Sequence, residues 1–565
     1  MTGTLLAAGL RLREWRRDVG FDRAAERPDR AQAAVLRALL DQNARTAFGR
    51  AHGFHAIRTA AEYGAAVPLR DYEGFRPYVE RIVAGEPGVL TAEPVMAFAT
   101  TSGTTGQSKL VPVTRSSLAQ MAALVRLWML RAHRDHPALL DGGLLTAVSP
   151  AIEGRTPAGL PCGAMSGLLQ RQLPSLIQAA QAVPYAAHLI EDCEARAFVL
   201  LRLGLARAVS VIGTPNPTTL IRLAAVARRE ADALLRAIHD GTLGVPWPVV
   251  HEEPGWDART SRRAVMAALR PDPARARGLA AAAGRRGALS LEDAWPGLAL
   301  IGCWLGGHAG RHAARLAADY GPAPLRDLGL VASEGRVTLP VTDGSAGGVL
   351  ALESGFYEFI PEESMDTTAP PLLLAHELEI GRRYGVVLSS ANGLYRYDLN
   401  DVVEVRGAYR RTPVIAFVRK GRDMTSITGE KLHLNHVQAA IREAERLTAA
   451  EIWQFRLIPD VDAWRYDLLV EPGGPDLDET GAQAFARAVD DALARVNVEY
   501  AAKRRSHRLA PPRLCVMRAG WAERQCRIEF ARGRREGQHK WRAIQPEWDP
   551  DSRSEVVRIW EEKTA

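Results

Sequence analysis

The pattern of apolar and polar positions predicts alternating strands and helices over most of the chain. The short apolar run Val95 to Ala99 predicts a strand, and 116–133 predicts a helix with one apolar face. On that face apolar side chains recur at steps of three and four residues: Leu118, Met121, Val125 and Trp128. Residues 170–300 are mainly helical in pattern. Further strands are predicted at 208–212, 298–304, 328–332, 356–360, 385–389 and 401–405. Strands that alternate with helices indicate an α/β fold.

The pattern changes after about Arg419. Trp453, Phe455 and Leu457 alternate with polar residues, which predicts a half-exposed strand, and 466–470 predicts its hairpin partner. A helix over 479–496 and a strand over 513–517 follow. About 140 residues suit a separate α+β unit. We therefore predict a large N-terminal domain, 1–418, and a small mobile C-terminal lid, 419–565, joined by a hinge at 419–423.

Composition narrows the class of protein. With 565 residues, the chain is too long for one ordinary core, and 47% hydrophobic and 24% charged residues fit a globular protein. The net charge is +7, but the arginines are scattered and opposed by 65 acidic side chains, so we expect no nucleic-acid partner. Arg202 and Arg207 interrupt the most apolar stretch, and no membrane span is predicted.

Cysteine usage and the N-terminal pattern favour the cytoplasm. The five cysteines are widely spaced and form no CxxC pair, which indicates reduced thiols. The apolar stretch Thr4 to Leu10 precedes its cationic cluster, the reverse of an export signal.

Lysine is rare, since only six of the 72 Lys and Arg residues are lysines. Where either cation would serve, the chain nearly always has arginine, so a lysine indicates a position that needs a compact point charge. Four of the six stand in contexts that suggest a role: Lys109, Lys420, Lys431 and Lys540.

The strongest motif is Thr100-Thr101-Ser102-Gly103-Thr104-Thr105-Gly106-Gln107-Ser108-Lys109. Glycines let backbone N–H groups approach an oxyanion, hydroxyls add donors, and the lysine adds a mobile cation. The set suits a polyphosphate, and the predicted order of strand, loop and helix favours the same function. The spacing differs from a Walker A loop, because two residues separate Gly106 from Lys109.

Residues Thr101 to Lys109 resemble the phosphate loop of the adenylate-forming superfamily, with Ser108 in place of the usual proline. Two other segments resemble motifs of that superfamily in the same order. Ala332-Ser333-Glu334-Gly335 is similar to its acidic motif, and Tyr397 to Asp401 is similar to its ribose-binding motif. A carboxylate such as Glu334 suits Mg²⁺, and Asp401 can accept hydrogen bonds from two ribose hydroxyls.

From about residue 45 to 545 the chain is further similar to the Gretchen Hagen (auxin-responsive promoter) family of acyl acid amido synthetases. The matching segments lie throughout: 48–50, 67–72, 216–220, 331–340, 393–403, 426–431 and 537–540. There are departures. Leu330 stands where many members have a tyrosine, Asp398 where arginine is usual, and Asn400 where glycine is usual.

The resemblance implies a role for each site residue. Lys109 and Lys431 are the expected catalytic lysines, and Lys540 belongs to the C-terminal signature. The ATP phosphates are expected to bind Thr101, Ser102, Gly103, Thr104, Thr105 and Gly106. The rest of the nucleotide is expected to contact Ala332, Ser333, Asp401 and Arg422, with Glu334 on Mg²⁺.

The implied reaction joins a small carboxylic acid to an amine, such as that of an amino acid, through an acyl-AMP made from ATP. Two alternatives stay open. One is a ligase that passes the acyl group to coenzyme A or a carrier protein, and the other is a non-catalytic acyl-nucleotide binding protein. The acyl pocket is expected between residues 116 and 230. The acid, the amine and the oligomeric state are not identified by the sequence.

Overall fold

The chain divides into two compact units, Met1–Val418 and Arg419–Ala565, between the same two residues as the predicted domain boundary. The computed structural model describes residues 2–101, 109–307, 310, 313–365, 367, 369–421, 424–425, 427, 430, 432–474, 477–505, 509–532, 541–545 and 547–562. Within these ranges, no helix is both long and apolar enough to cross a membrane.

Helices make up much of the first unit. The α-helices are Thr2–Glu26, Pro28–Asn43, Ala47–Ala51, Ala60–Ala66, Tyr72–Val83, Arg115–Asp135, Met165–Arg171, Ser175–Ala179, Cys193–Leu205, Pro217–Arg229, Ala231–Asp240, Ala258–Ala268, Pro273–Arg286, Leu291–Ala294 and Leu316–Tyr320. Short 3₁₀ turns span Pro137–Leu140, Tyr185–Leu189, Glu362–Ser364 and Ala375–Glu377. The sequence sets several N-termini, because Asp71, Asp192 and Asp257 each cap a helix by accepting a backbone N–H three residues on.

A parallel sheet forms one layer of the first unit. Its strands, in spatial order, are Gly143–Thr146, Val209–Gly213, Leu300–Gly302 and Leu325–Arg326. Leu145, Val209, Ile212 and Ile301 of the sheet pack in one core with Trp295 and Tyr320. Leu144, Val211 and Leu300 pack in a second core with Trp128 of the helix Arg115–Asp135. The α/β prediction for this region is confirmed, and the strands predicted at 208–212 and 298–304 are present.

An antiparallel sheet forms the second layer. Its strands, in spatial order, are Thr338–Leu339, Gly347–Leu350, Thr412–Lys420, Tyr397–Tyr409, Arg383–Ser389, Phe356–Pro361 and Leu373–Leu374. Its inner face packs with the segment 36–90 in a core rich in aromatic residues. The three strands predicted at 356–360, 385–389 and 401–405 all belong to this sheet.

A smaller sheet carries the predicted phosphate loop. Its strands are Lys109–Thr114, Val95–Thr101, Pro161–Gly163 and Gly154–Arg155 in spatial order. The first two pair antiparallel, with Thr101 opposite Lys109. The predicted order of strand, loop and helix was therefore wrong. The loop lies between two strands of a hairpin, and the helix begins only after the second strand.

The second unit has an α+β fold. Its strands are Ile452–Asp460, Arg465–Pro472, Arg513–Met517 and Val556–Trp560, with a hairpin of Met424–Thr425 and Leu432–His433. Its helices are Leu434–Thr448, Glu479–Val496, Val498–Arg505, Trp521–Ala531 and Pro550–Arg553. The predicted hairpin of 453–457 and 466–470 is confirmed.

Two expectations about strands fail. The strand at 328–332 is reduced to Val331–Ala332, and Leu325–Arg326 joins the parallel sheet instead. The strand Ile452–Asp460 is not half-exposed, because Gln454 and Arg456 are also buried. Arg456 donates to Asp549 and to the carbonyl of Arg542, and it lies 4.3 Å from the ring of Trp541. Arg456 can therefore be buried in this strand, because these partners satisfy its charge.

Candidate active site

A cleft in the first unit forms where three elements meet. The helix Arg115–Asp135 supplies one wall, the turn 333–336 a second, and the loop 390–392 a third. Its lining residues are Ser117, Gln120, Met121, Leu124, Ser333, Glu334, Gly335, Arg336, Ser354, Ser390, Ala391 and Asn392. Ser333 and Glu334 were predicted site residues, and the helix was the predicted start of the acyl pocket.

Glu334 lies at the tip of a tight hairpin. Ala332 pairs with Gly335 and Val331 with Arg336, so Ser333 and Glu334 form the two-residue turn. The Tyr397 hydroxyl lies close to the Glu334 carboxylate, and burial, together with that carboxylate, raises the pKa of Tyr397. The acidic motif therefore lies next to the first residue of the predicted ribose motif.

Asn392 fixes the turn from the other side. Its Nδ2 donates to the Glu334 carbonyl at 3.0 Å, and its Oδ1 accepts from the Ser390 hydroxyl at 2.6 Å. The Thr114 hydroxyl, at the start of the cleft helix, donates to the Ala391 carbonyl at 3.3 Å. Sequence reasoning missed Asn392. The Asn392-Gly393 pair is a turn signal that could have found it.

Lys109 begins the second strand of the phosphate-loop hairpin. Its Nζ lies 5.5 Å from the ring centroid of Tyr72. The Tyr72 hydroxyl accepts from the Leu110 backbone N–H at 2.7 Å and donates to the Leu110 carbonyl at 3.3 Å. Tyr72 thus fixes the backbone next to Lys109 and also presents a π face to its cation.

Asp401 lies in the strand Tyr397–Tyr409 and is 2% exposed. It follows Asn400, whose φ of 53° is left-handed. Asparagine adopts that conformation more readily than most residues, which fits its presence where glycine is usual in the resembling family. The Asp398 carboxylate accepts from the Asn400 N–H at 2.7 Å.

Two buried charged residues, Asp327 and Arg336, lie beside the turn. The Asp327 carboxylate accepts from the backbone N–H of Leu305 at 2.7 Å and from that of Gly329. Arg336 donates to the Leu328 carbonyl. Burial raises the pKa of Asp327 to about 6 despite these hydrogen bonds and the nearby Arg336, and burial lowers the pKa of Arg336 to about 10. Both charged forms are therefore disfavoured by burial.

The raised pKa of Asp327 predicts a pH-dependent stability. The folded state holds this proton more tightly than the unfolded state, so wild-type stability falls as pH rises from about 4 to about 6. Asp327→Asn lacks this titration. The difference in unfolding free energy, variant minus wild type, should therefore increase by about 2–3 kcal/mol from pH 4 to pH 7. Urea unfolding at several pH values measures it, and a constant difference would contradict the assignment.

The other predicted site residues divide into two groups. Ala332 lies in the short hairpin next to Ser333, and the backbone of Thr101 lies opposite Lys109. The remaining predicted residues lie outside the described residues: Ser102, Gly103, Thr104, Thr105, Gly106, Arg422, Lys431 and Lys540. Leu330 is partly buried against the aromatic core, and its N–H donates to the Thr338 hydroxyl at 2.8 Å.

Solved structures with the same architecture define the fold. GH3.15 acyl acid amido synthetase matches with a TM-score of 0.82 at 20% identity, over 95% of each chain. A 2-hydroxyisobutyryl-CoA ligase in its postadenylation state matches with a TM-score of 0.52 at 14% identity, over 92% of this chain and 89% of the ligase. The fold is that of the adenylate-forming enzymes.

Family models then narrow the class. The GH3 family N-terminal domain matches residues 19–325, the GH3 family central domain 348–420 and the GH3 family C-terminal domain 435–547. The chain belongs to the GH3 family, the Gretchen Hagen family that its motifs resemble.

Curated relatives align over nearly the whole chain. The probable indole-3-acetic acid-amido synthetase GH3.2 of Oryza sativa subsp. japonica is 26% identical, over 92% of this chain and 88% of the relative. The jasmonoyl–L-amino acid synthetase GH3.5 of the same plant is 25% identical, over 87% of this chain and 88% of the relative. One relative is therefore named as an amido synthetase and the other as an amino acid synthetase of an acyl acid, in line with the activity that the sequence predicted.

Proposed function

We propose that this protein is an ATP-dependent acyl acid amido synthetase that conjugates a carboxylic acid with an amino acid. A carboxylate oxygen attacks the α-phosphorus of ATP, and pyrophosphate leaves. The amine nitrogen then attacks the acyl carbon, AMP leaves with the bonding electrons, and the nitrogen loses a proton. The observation that carries the proposal is the cleft that holds Ser333 and Glu334 in a chain matched by three GH3 family models.

ATP is the first proposed partner of the cleft. Lys109 and the loop 101–106 would stabilise the phosphates, and Ala332, Ser333 and Arg422 would contact the nucleoside. Asp401 would accept hydrogen bonds from the ribose hydroxyls. The proximity of the Glu334 carboxylate and the Tyr397 hydroxyl supports a common site for the acidic and ribose motifs. Positioned positive charge and backbone donors lower the barrier for charge that develops on the transferring group.

Mg²⁺ is the proposed metal, and Glu334 would hold it. The residue fits, because a carboxylate at the tip of a fixed turn in the cleft supplies the hard oxygen ligand that Mg²⁺ prefers. When bound with ATP, the ion would neutralise phosphate charge. Asn392 holds the backbone of the turn in place for that contact.

Glu334→Gln should raise the Mg²⁺ concentration needed for half-maximal activity by about tenfold, in line with losing one anionic ligand. The amide keeps the size of the side chain and an acceptor oxygen, so the turn should persist. Acid-dependent pyrophosphate exchange, titrated with Mg²⁺, measures the shift. Glu377→Gln, at an exposed 3₁₀ turn, is the matched control. An unchanged Mg²⁺ requirement in Glu334→Gln would remove this assignment.

The acyl group is proposed to lie along the helix Arg115–Asp135. Met121 and Leu124 are buried at the cleft wall. The hydroxyl of Ser117 donates to the Thr114 carbonyl, and that of Ser354 bonds to the Ala351 carbonyl and Tyr357. Because these hydroxyls already have partners, the wall favours an apolar acyl group.

Leu124→Ala should enlarge the acyl site and change its selectivity. One or two methylenes in an apolar site are worth about 1–3 kcal/mol, so the preference for longer over shorter aliphatic acids should rise about tenfold. The ratio of kcat/KM values for two acids measures it and is insensitive to lost stability. Leu447→Ala, at an exposed position of the second unit, is the control. The same ratio in Leu124→Ala and wild type would place the acyl group elsewhere.

The second unit is proposed to act as a lid that turns at the hinge 419–423. Lys431 would serve adenylation, and Lys540 would belong to the C-terminal signature. Glu430, directly before Lys431, is buried, and its carboxylate accepts from the Ile427 N–H at 2.7 Å and from the Tyr466 hydroxyl. The Glu430 carbonyl accepts from Asn497 at 3.0 Å. These bonds fix Glu430 within the second unit, so Lys431 would move together with that unit.

A screen of acids in two assays tests the function. Acid-dependent exchange of pyrophosphate into ATP reports adenylation, and amide formation with a panel of amino acids, without any thiol, reports conjugation. Exchange followed by thioester formation with coenzyme A, and no amide, would favour the ligase alternative. Nucleotide binding without exchange for any acid would favour the non-catalytic alternative.

A further inference from the structure

The strand that carries Asp401 contains an unusual bulge. Val387 of the neighbouring strand pairs with Asp398, and Gly385 pairs with Val402. One residue, Val386, therefore faces three on the other strand, 399–401. Because successive side chains of a strand point to opposite faces, inserted residues decide which way the following side chains point. The direction of Asp401 therefore depends on how this bulge is built.

The bulge turns at Asn400, whose φ of 53° is unfavourable for most residues with a side chain. Asp398 compensates. Its Oδ1 accepts from the Asn400 N–H at 2.7 Å, a side-chain-to-backbone bond across two residues that is typical of an Asx turn. The Asp398 N–H donates to the Arg70 carbonyl at 2.8 Å, so the residue that starts the turn is itself fixed.

Asp401 follows directly and is 2% exposed. A buried carboxylate tolerates little displacement, since each lost hydrogen bond leaves a charge in a site that excludes water. Ladder pairing resumes at Val402, opposite Gly385. Asp401 is thus held between a resumed strand on one side and the Asx turn on the other.

We propose that Asp398 is a positioning residue, whose turn with Asn400 aims Asp401 at the ribose of ATP. The inference rests on the proposed function for the assignment of Asp401 to the ribose hydroxyls. It also explains why position 398 has an acidic side chain, although the proposed nucleotide site is nearby. The carboxylate of Asp398 serves the backbone as a hydrogen-bond acceptor, a role that an amide oxygen can also fill.

The test compares ATP with 2′-deoxy-ATP in acid-dependent pyrophosphate exchange. Discrimination is the ratio of the two kcat/KM values, and wild type and Asp398→Ala are compared first. Losing the Asx turn should lower this ratio about five- to tenfold, as expected when one hydrogen bond of the transition state is misdirected. A variant that only loses stability should lower activity with both nucleotides and leave the ratio unchanged.

Three further variants make the result specific. Asp398→Asn keeps an acceptor oxygen without the charge, so its ratio should stay within about twofold of wild type. Asn400→Gly relieves the left-handed conformation, so Asp398→Ala combined with Asn400→Gly should recover most of the lost discrimination. Arg410→Gly, at another left-handed residue of the same strand region, should leave the ratio unchanged.

Asp401→Asn separates this inference from the proposed function. If Asp401→Asn lowers discrimination while Asp398→Ala keeps the wild-type ratio, the positioning role is overturned and the ribose role stands. If Asp398→Asn behaves like Asp398→Ala, the charge matters and the inference is overturned. If Asp401→Asn itself keeps the wild-type ratio, the ribose assignment fails and the positioning role fails with it.

Discussion

Lys109→Ala should lower kcat for acid-dependent pyrophosphate exchange by about 10²-fold or more, the usual effect of removing one positioned electrostatic donor. The cation begins the strand directly after the phosphate loop, opposite Thr101 and over the ring of Tyr72. Tyr72 is bonded twice to the Leu110 backbone, so Lys109 starts from a fixed position. The loss should therefore appear in kcat and not only in the KM for ATP.

Two variants test whether the shape of the cation matters as well as its charge. Lys109→Arg should recover only part of the activity, because a planar guanidinium is wider than an ammonium. Lys503→Ala, at a lysine in a helix of the second unit, should leave the exchange unchanged. Wild-type exchange rates in Lys109→Ala would end the assignment of this hairpin to the ATP phosphates.

Arg396→Ala should lower the unfolding free energy of the first unit by about 3–5 kcal/mol, the usual cost of removing one partner of a buried ion pair. Arg396 lies 2.9 Å from the buried Glu358 carboxylate and also donates to the carbonyls of Gly64 and Val67. Burial raises the pKa of Glu358, so this carboxyl is already difficult to ionise with Arg396 present. Without Arg396, the Glu358 carboxyl must either stay ionised without a partner or bind a proton, in a site that excludes water.

Chemical denaturation followed by tryptophan fluorescence measures this loss. Arg382→Ala is the matched control, because its ion pair with Glu363 is exposed and should be worth less than about 1 kcal/mol. Glu358→Gln combined with Arg396→Met should cost less than Arg396→Ala alone, since no unpaired charge remains. Equal stability of Arg396→Ala and wild type would contradict the prediction. It would show that the attraction within the pair is offset by the cost of burying both charges.

Much of the fold could be predicted because periodicity and turn residues agree with the tertiary environment. The helix Glu479–Val496 and the strand Arg513–Met517 have their predicted bounds. The strand Lys109–Thr114 was missed because Pro112 usually argues against a strand. It is tolerated here since the strand lies at the edge of its sheet. The strand at 328–332 is shortened for a different reason. The Leu330 N–H donates to the Thr338 hydroxyl, and the Leu330 carbonyl accepts from the Val337 N–H, in place of ladder pairing.

The sequence predicted the residues that would act on the substrates. It did not predict the residues that hold other parts of the site in place. Glu334 and Lys109 were found from motifs. Asn392 and Asp327 act through backbone groups of residues 58 and 22 positions away along the chain, and contacts of that kind have no local pattern. Asp398 illustrates the difference. Its identity had no explanation until the structure showed its bond to the Asn400 N–H.

The segment 393–397 sets a condition for building chimeras of this protein with its relatives. Tyr395 donates to the Leu90 carbonyl and stacks on Phe48, and the Arg396 carbonyl accepts from the Arg70 N–H. More than three hundred residues separate these partners along the chain, yet they form one continuous interface. A crossover point anywhere between residues 90 and 390 would therefore join two halves of this interface from different parents. Exchanged blocks should carry both segments together.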